Sequence, residues 1–314
     1  MILILSSASD LHARRVMQTL TEMGEVPFLL DLSEFPVRAA VSLQFGANGQ
    51  SGRRFRDRRD RVLNLDSVRA VWWRRPQPFR LESAVQDPAH QMFAVNECRE
   101  ALSGLWRSLD AFWINEPLLD EAAHRKTYQL AVAESLGLPI PDTLVTNDPR
   151  AAREFVHRRE PGQTVFKCFT GTPIAWRETR LVTSEELENL ELVRIAPVIF
   201  QEYVPGVDVR VTVVGERIFA AEMDVSDAEY PVDFRMNLNR ARPNETSLPP
   251  EIVEGIHRLM GRLGLVYGAL DFRRRADGEH LFLEINPAGQ WLFVEEATGQ
   301  PITRALAEQL AAGG

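Results

Sequence analysis

The stretch Asp271-Phe272-Arg273-Arg274-Arg275-Ala276-Asp277-Gly278-Glu279-His280-Leu281-Phe282-Leu283-Glu284-Ile285-Asn286-Pro287 decides how the chain is read. Val266–Arg274 and His280–Asn286 are apolar-rich runs joined by Ala276-Asp277-Gly278, the pattern of an antiparallel hairpin. Counting back from the turn, Asp271 falls nearly opposite Glu284, and Glu284 and Asn286, two apart, share one face. Carboxylates facing each other across a strand pair repel, so the pair calls for a cation. Three hard oxygen donors without His or Cys favour Mg2+ over zinc. The competing account is that Arg273 or Arg274 neutralises the carboxylates without a metal, and spacing does not separate the two.

Outward from this hairpin, Val209–Val214 and Arg217–Met223 form another through Gly215-Glu216, with Gly first as a type II′ turn requires. Between the two hairpins lies a helix, roughly Pro250–Leu263. Upstream, strands are expected at Thr164–Phe169 and Val198–Val204, and helices at about 120–136 and 184–192. Gly137, Pro139 and Pro141 stop the first of those helices. This part is α+β and rich in antiparallel pairs.

The first third differs. Ile2–Leu5, a helix capped by Asp10 and running to Gly24, and Val26–Leu30 make a βαβ start, which implies a parallel α/β sheet. A hairpin at Val41–Phe45 and Arg53–Arg56, a strand at Val68–Trp73, a helix over 88–109 and a strand at Phe112–Ile114 follow. The expected divisions are 1–116, 117–195 and 196–314.

A length of 314 residues suggests about two domains. With 45% hydrophobic and 25% charged residues the chain is an ordinary folded one, not a disordered one. The net charge of −8 argues against nucleic acid as the main partner. Cys98 and Cys168 form no CxxC or disulfide framework, and the start reads as a strand, not a signal peptide; cytoplasmic residence is expected. No apolar run approaches a membrane span of ~18 residues. Of the 36 basic residues only Lys126 and Lys167 are lysines. Codon bias accounts for the many arginines, and the two survivors hint at places where a compact ammonium is needed.

Lys167 alternates with apolar residues in Val165-Phe166-Lys167-Cys168-Phe169, so a strand there half buries it beside an anion, unless it is an edge-strand gatekeeper. Lys126 follows His124 and Arg125 near a helix start, where the dipole disfavours cations unless an anion docks. Phe200-Gln201-Glu202-Tyr203-Val204-Pro205 ends a strand beside an apolar surface, an arrangement whose open backbone groups suit an adenine edge. Asp208-Val209-Arg210 and Asp233-Phe234-Arg235 each place an acid and an Arg on one face, suited to phosphate or carboxylate, with structural salt bridges as the plainer account. There is no P-loop, no GxSxG, no HExxH and no GxGxxG after the first strand.

Taken in order, these pieces resemble the ATP-grasp ligases over about 120–290: His124-Arg125-Lys126, Gly137 to Thr143, Val165-Phe166-Lys167, Gln201-Glu202-Tyr203-Val204, Asp208-Val209-Arg210, Asp233 to Asn237, Asp271-Phe272 and Glu284-Ile285-Asn286-Pro287. The resemblance implies an ATP-grasp fold with an N-terminal Rossmann-like pre-grasp domain. It implies ATP and Mg2+ as cofactors, with Lys126 and Lys167 on phosphates, Glu202 to Val204 on adenine, and Asp208 on ribose. Gln201 and Asn237 complete the nucleotide set, while Asp271, Glu284 and Asn286 hold Mg2+. Lys167, Arg210 and Arg235 are the implied catalytic residues, the two arginines gripping the γ-phosphate and acyl-phosphate. One departure is the loop Thr170–Arg180, which carries a single Gly where many relatives have a Gly-rich flap.

Asp10-Leu11-His12, Leu30 to Pro36, Val71 to Pro76 and Glu284 to Trp291 are similar to the microviridin-type ligases, the graspetide synthetases. That narrower likeness implies a ribosomal precursor peptide, leader and core, as partner, and a homodimer. Asp or Glu side chains of the peptide are activated as acyl-phosphates and joined to Ser/Thr or Lys as esters or amides. Arg74 and Arg75, set between a Trp pair and a proline, are candidates for gripping an acidic leader. The rivals are an ATP-grasp ligase for a free amino acid or small metabolite, and a nucleotide-binding scaffold without catalysis.

Overall fold

The structure, a computed structural model, describes residues 1–46, 51–169, 179–224 and 242–313. Its first sheet has β1 (Ile2–Leu5), β2 (Pro27–Leu30), β6 (Ala70–Trp73) and β7 (Phe112–Ile114) in the order β2-β1-β6-β7, all pairs parallel. The βαβ start is therefore as expected, with α1 (Leu11–Glu22) as the crossover and Asp10 capping it through the N–H groups of His12 and Ala13. Successive β1 residues face opposite ways and are all buried. Ile2 and Ile4 enter one core; Leu3 and Leu5 enter another, with α2 (Pro88–Arg107). Above it β3 (Ala40–Gln44), β4 (Gly52–Arg56) and β5 (Val62–Asn64) form a small antiparallel sheet; the expected turn at 46–49 lies largely outside the described residues.

The expected helix at 120–136 is two helices, α3 (Pro117–Ala123) and α4 (Lys126–Ser135), broken at His124-Arg125. The second sheet is antiparallel, in the order β10-β9-β11-β8: β8 (Thr143–Thr146), β9 (Thr164–Lys167), β10 (Arg180–Leu181) and β11 (Val198–Glu202). Helices α5 (Pro149–His157) and α6 (Ser184–Glu188) belong to the same region, and the expected helix over 184–192 gives way at Leu190 to a 3₁₀ turn. β11 thus pairs with strands on the other side of the expected division at 195/196, while α4 packs on the third sheet.

The third sheet runs β14-β13-β12-β15-β16, from β12 (Val207–Val214), β13 (Arg217–Asp224), β14 (Arg242–Glu245), β15 (Tyr267–Arg274) and β16 (His280–Asn286). Gly215 has φ +58°, which its turn needs and most residues avoid. One face of this sheet is covered by α4 and α7 (Pro250–Leu263). On the other, Val214, Tyr267 and Trp291 share a core with Ile2, Ile4 and Trp72 of the first sheet. Two C-terminal helices, α8 (Leu292–Thr298) and α9 (Ile302–Ala312), close that core.

Candidate active site

Asp271 and Glu284 are direct cross-strand partners. A plain count from the turn sets Asp271 opposite Leu283; a bulge between Asp271 and Phe272 makes Leu283 the extra residue and brings Glu284 into register. Each carboxylate has a cation: Arg210 Nη1 donates to Asp271 Oδ1 at 2.7 Å, and Lys126 Nζ bonds Glu284 Oε2. Arg273 and Arg274, the expected alternatives, go elsewhere, to Asp208 (2.7 Å) and Glu222 (3.0 Å). The anion at the start of α4 is therefore the Glu284 carboxylate.

Register explains the Asp208–Arg210 pair. Asp208 lies across from Arg273 and Arg210 across from Asp271, so each charge bonds across the strands. All four side chains are buried, the condition in which an unpaired charge is costly. Asn286 is exposed, and its Oδ1 accepts the Ala288 N–H at 2.9 Å. Gln129 of α4 holds Ile285, between Glu284 and Asn286, by both backbone groups at 3.0 and 2.8 Å.

A narrow cleft between the second and third sheets gathers Lys167, Gln201, Glu202, Tyr203, Val204 and Asp208. Residues far apart in sequence, expected on nucleotide grounds, thus line one cavity. Lys167 is on an inner strand of its sheet, flanked by β10 and β11, so the edge-strand account is set aside. Its Nζ donates to Gln201 Oε1 at 2.6 Å. Leu283, the bulged residue, joins the lining as an apolar surface. The open strand end expected at 202–204 is corrected in part. Glu202 N–H donates to Asp142 O (2.8 Å), Tyr203 N–H to Gln163 O (2.9 Å), and Val204 O accepts from Arg273 Nε (2.9 Å). A larger cavity of about 690 Å³, between α2 and α3, holds none of the expected nucleotide residues.

Arg235 and Asn237, with Asp233, lie outside the described residues, as does most of the loop Thr170–Arg180. Arg74 requires a correction. It is completely buried and donates from Nη1 to Ala288 O (2.6 Å) and Gly289 O (2.7 Å), so it does not face a leader peptide. Arg75 bonds the same Ala288 carbonyl at 3.1 Å. Among the described residues no three His, Cys, Asp or Glu side chains gather as a metal cluster. Asp271, Glu284 and Asn286 instead offer two carboxylates and an amide, a donor set suited to a hard cation. The two bound cations mark the positive charge this carboxylate pair requires.

Sequence reasoning missed Asn115 and quoted His12 only within the family likeness, without a role. Asn115 Oδ1 accepts the N–H groups of Val266 (2.8 Å) and Tyr267 (2.9 Å), while its Nδ2 donates to Tyr267 O, anchoring β15 to the first sheet's last strand. Its place just after an apolar strand and before Glu116-Pro117 reads as a linker, which concealed it.

A cleft between two antiparallel sheets, with paired carboxylates on a hairpin at one wall, defines a ligase of the ATP-grasp class. Residues 1–120 match the MvdD pre-ATP grasp domain. The chain is similar to the macrocyclase MdnC from Microcystis aeruginosa MRC, solved bound with precursor peptide MdnA. Identity is 31%, with 99% of this chain and 98% of that chain covered and a TM-score of 0.86. A Chryseobacterium gregarium RiPP-associated ATP-grasp ligase, in complex with ADP and a leader and core peptide, is 26% identical over 100% of this chain and 97% of that one, TM-score 0.90. The ATP-grasp ligase PsnB, complexed with a phosphomimetic variant of its minimal precursor, Mg and ADP, is 26% identical over 99% and 98%, TM-score 0.78. No curated protein matches the chain. The chain belongs to the microviridin-type ATP-grasp ligases, the graspetide synthetases, and is an ATP-dependent ligase.

Proposed function

We propose that this ligase activates Asp or Glu side chains of a ribosomal precursor peptide and closes ester or amide cross-links with Ser/Thr or Lys of the same peptide. The observation that carries this reading is the convergence of Lys167, Gln201 to Val204 and Asp208 on one cleft beside the Asp271–Glu284 pair. A peptide carboxylate oxygen attacks the γ-phosphorus of ATP, the bond to the β-phosphate oxygen breaks, and ADP leaves. The peptide's hydroxyl or amine then attacks the acyl carbon, phosphate departs, and the nucleophile's proton passes to solvent.

Lys167 and Lys126 serve the phosphates, Glu202 to Val204 the base and Asp208 the ribose, with Gln201 and Asn237 completing the set. Asp271, Glu284 and Asn286 would hold Mg2+, which when bound neutralises phosphate charge. Arg210 and Arg235 hold the transferred phosphoryl group. Positioning and charge neutralisation dominate such transfers, and losing one preorganised donor costs about 3–4 kcal/mol of transition-state stabilisation. The chain divides into a pre-grasp part, 1–116, and two grasp parts; the separate sheets support this division, and the pairing of β11 with β8 and β9 moves the second boundary from 195/196 to beyond Glu202. A homodimer and cytoplasmic residence complete the reading; free Cys98 and Cys168 fit a reducing compartment.

The test is peptide-dependent ADP release with mass spectrometry of the peptide. Wild type is expected to remove one water per cross-link, and Arg210→Ala or Lys167→Ala to lower turnover by a hundredfold or more. Wild-type rates in both variants would sink the assignment, and turnover stimulated by amino acids but by no peptide would sink the substrate class.

A further inference from the structure

Five consecutive residues after the Asp271–Glu284 hairpin each have a backbone group held by a distant side chain. Arg74 Nη1 takes the carbonyls of Ala288 and Gly289 at 2.6 and 2.7 Å. Arg210 Nη2 takes that of Gln290 at 3.0 Å. His12 Nε2 accepts the N–H groups of Trp291 and Leu292 at 3.2 and 3.4 Å. Arg74 and His12 are tied together in turn, since Asp10 meets Arg74 Nε at 3.2 Å and lies 3.5 Å from His12 Nδ1. Ser6 Oγ also donates to Asp10, at 2.9 Å. Arg74 lies over the Trp291 ring, 5.2 Å from its centroid, and His12 meets that ring edge-on at 4.5 Å.

We propose that Arg74 and His12 are positioning residues of the ligase site: from the end of β6 and from α1 they fix the backbone of 288–292, and through it the guanidinium of Arg210. The physical reason is the shared segment. Arg210 spans Asp271 and Gln290 O, so a shift of this backbone changes where its remaining N–H groups point. Gly289 leaves no slack, because a Cβ there would stand 2.9 Å from Arg210 Nη2 and 2.3 Å from the Ala269 Cβ. A lysine cannot replace Arg74, since one ammonium lacks the planar fork that reaches two carbonyls and a carboxylate together.

His12 adds a signature. A ring nitrogen that accepts two N–H groups must carry a lone pair, so His12 grips the segment only as the neutral imidazole with its proton on Nδ1. The charged groups facing it are Asp10, Arg74 and Arg75; burial lowers its affinity for a proton, Asp10 raises it, and the two arginines lower it. Protonation would set a third N–H against the two donors and release them.

The inference rests on the role proposed for Arg210, and the experiment separates the two. Peptide-dependent ADP release and nucleotide Kd are measured for Arg74→Lys, Arg210→Lys, the double variant and His12→Gln, from pH 5 to 9. Arg74→Lys is expected to lower kcat tenfold or more at unchanged nucleotide Kd. The double variant should lose less than the product of the single losses. In His12→Gln the acid limb of the kcat profile should shift or vanish, which a merely structural residue would not cause. Multiplicative losses, or an acid limb identical to wild type in His12→Gln, overturn the proposal. If Arg210→Lys itself leaves kcat unchanged, the reading of Arg210 fails instead. Should Arg74→Lys not fold, the His12→Gln profile decides alone.

Discussion

On the third sheet, Glu284 meets Lys126 as a partly buried pair next to Leu283 of the cleft, whereas beneath the first sheet Arg74 is sealed among Asp10, two carbonyls and two tryptophans. Both clusters bind opposite charges from distant parts of the chain. The first keeps some contact with water on both side chains, so under the proposed function a phosphate or a metal ion can compete for each partner. The second does not exchange, since removing either member leaves the other buried and uncompensated. On the roles proposed for Lys126 and Glu284, the molecule separates charges that let go during turnover from charges that do not.

Asp10→Ala should break that contrast most severely. It removes the α1 cap and the carboxylate of Arg74 together. Denaturant unfolding is expected to record a loss of about 3–5 kcal/mol; a loss under ~1 kcal/mol would show that the sealed cluster behaves as a surface pair. Gly289→Ala comes next. The added methyl meets the Ala269 Cβ and Arg210, and overpacking of this kind costs about 1–3 kcal/mol. Thermal unfolding together with the kcat of the variant measures both consequences.

The pH dependence of stability separates the clusters more gently. Burial opposes the charged form of Asp10, but bonds from His12, Arg74 and Ser6 outweigh it and hold the carboxyl well below the usual range. Its stabilisation is present above about pH 4, the unfolded value, and is lost as pH falls through the lower folded value. Burial likewise depresses His12, so the unfolded chain takes up that proton first. Stability should therefore decline as pH falls from about 6.5 towards the folded value of His12, by at most ~1.4 kcal/mol per pH unit for this one proton. Urea titrations at stepped pH should show the decline in wild type and a flatter course in His12→Gln; identical slopes would mean that His12 is not held neutral.

How legible this was in the sequence differs between the clusters for a physical reason. Hairpin alternation and turn residues are local, so the Asp271–Glu284 facing could be read to within one residue, and ordered spacing exposed Lys167, Gln201 to Val204 and Asp208. The bulge at Leu283 was not readable, because an extra residue in a strand leaves no mark until its partner is known. Arg74 misled for the same reason: its burial depends on carbonyls more than 200 positions away, and locally it reads as a surface charge near a proline. The C-terminal helices are another matter. Ile302, Ala305, Leu306 and Leu310 recur at helical spacing and fill the shared core, a local signal that the sequence carries without knowledge of any distant partner.

The smallest change in stability is expected where the functional effect is specific. In Lys126→Met the loss of a partly buried pair that still touches water should move unfolding by about 1 kcal/mol. The methionine keeps the aliphatic body of the side chain and removes only the ammonium. Glu284 then loses a cation, so in the absence of nucleotide the Asp271–Glu284 pair should bind Mg2+ more readily than in wild type, where Lys126 competes for the same carboxylate. Nucleotide affinity should move the opposite way, because the ammonium proposed to serve the phosphates is gone. Calorimetric titration of each variant with Mg2+ alone and then with ADP reads both directions. Opposite shifts would mark Lys126 as a cation that leaves Glu284 when phosphate arrives. Two weakened affinities would show that it only organises the start of α4, and the pair beside the cleft would then be as fixed as the one beneath the first sheet.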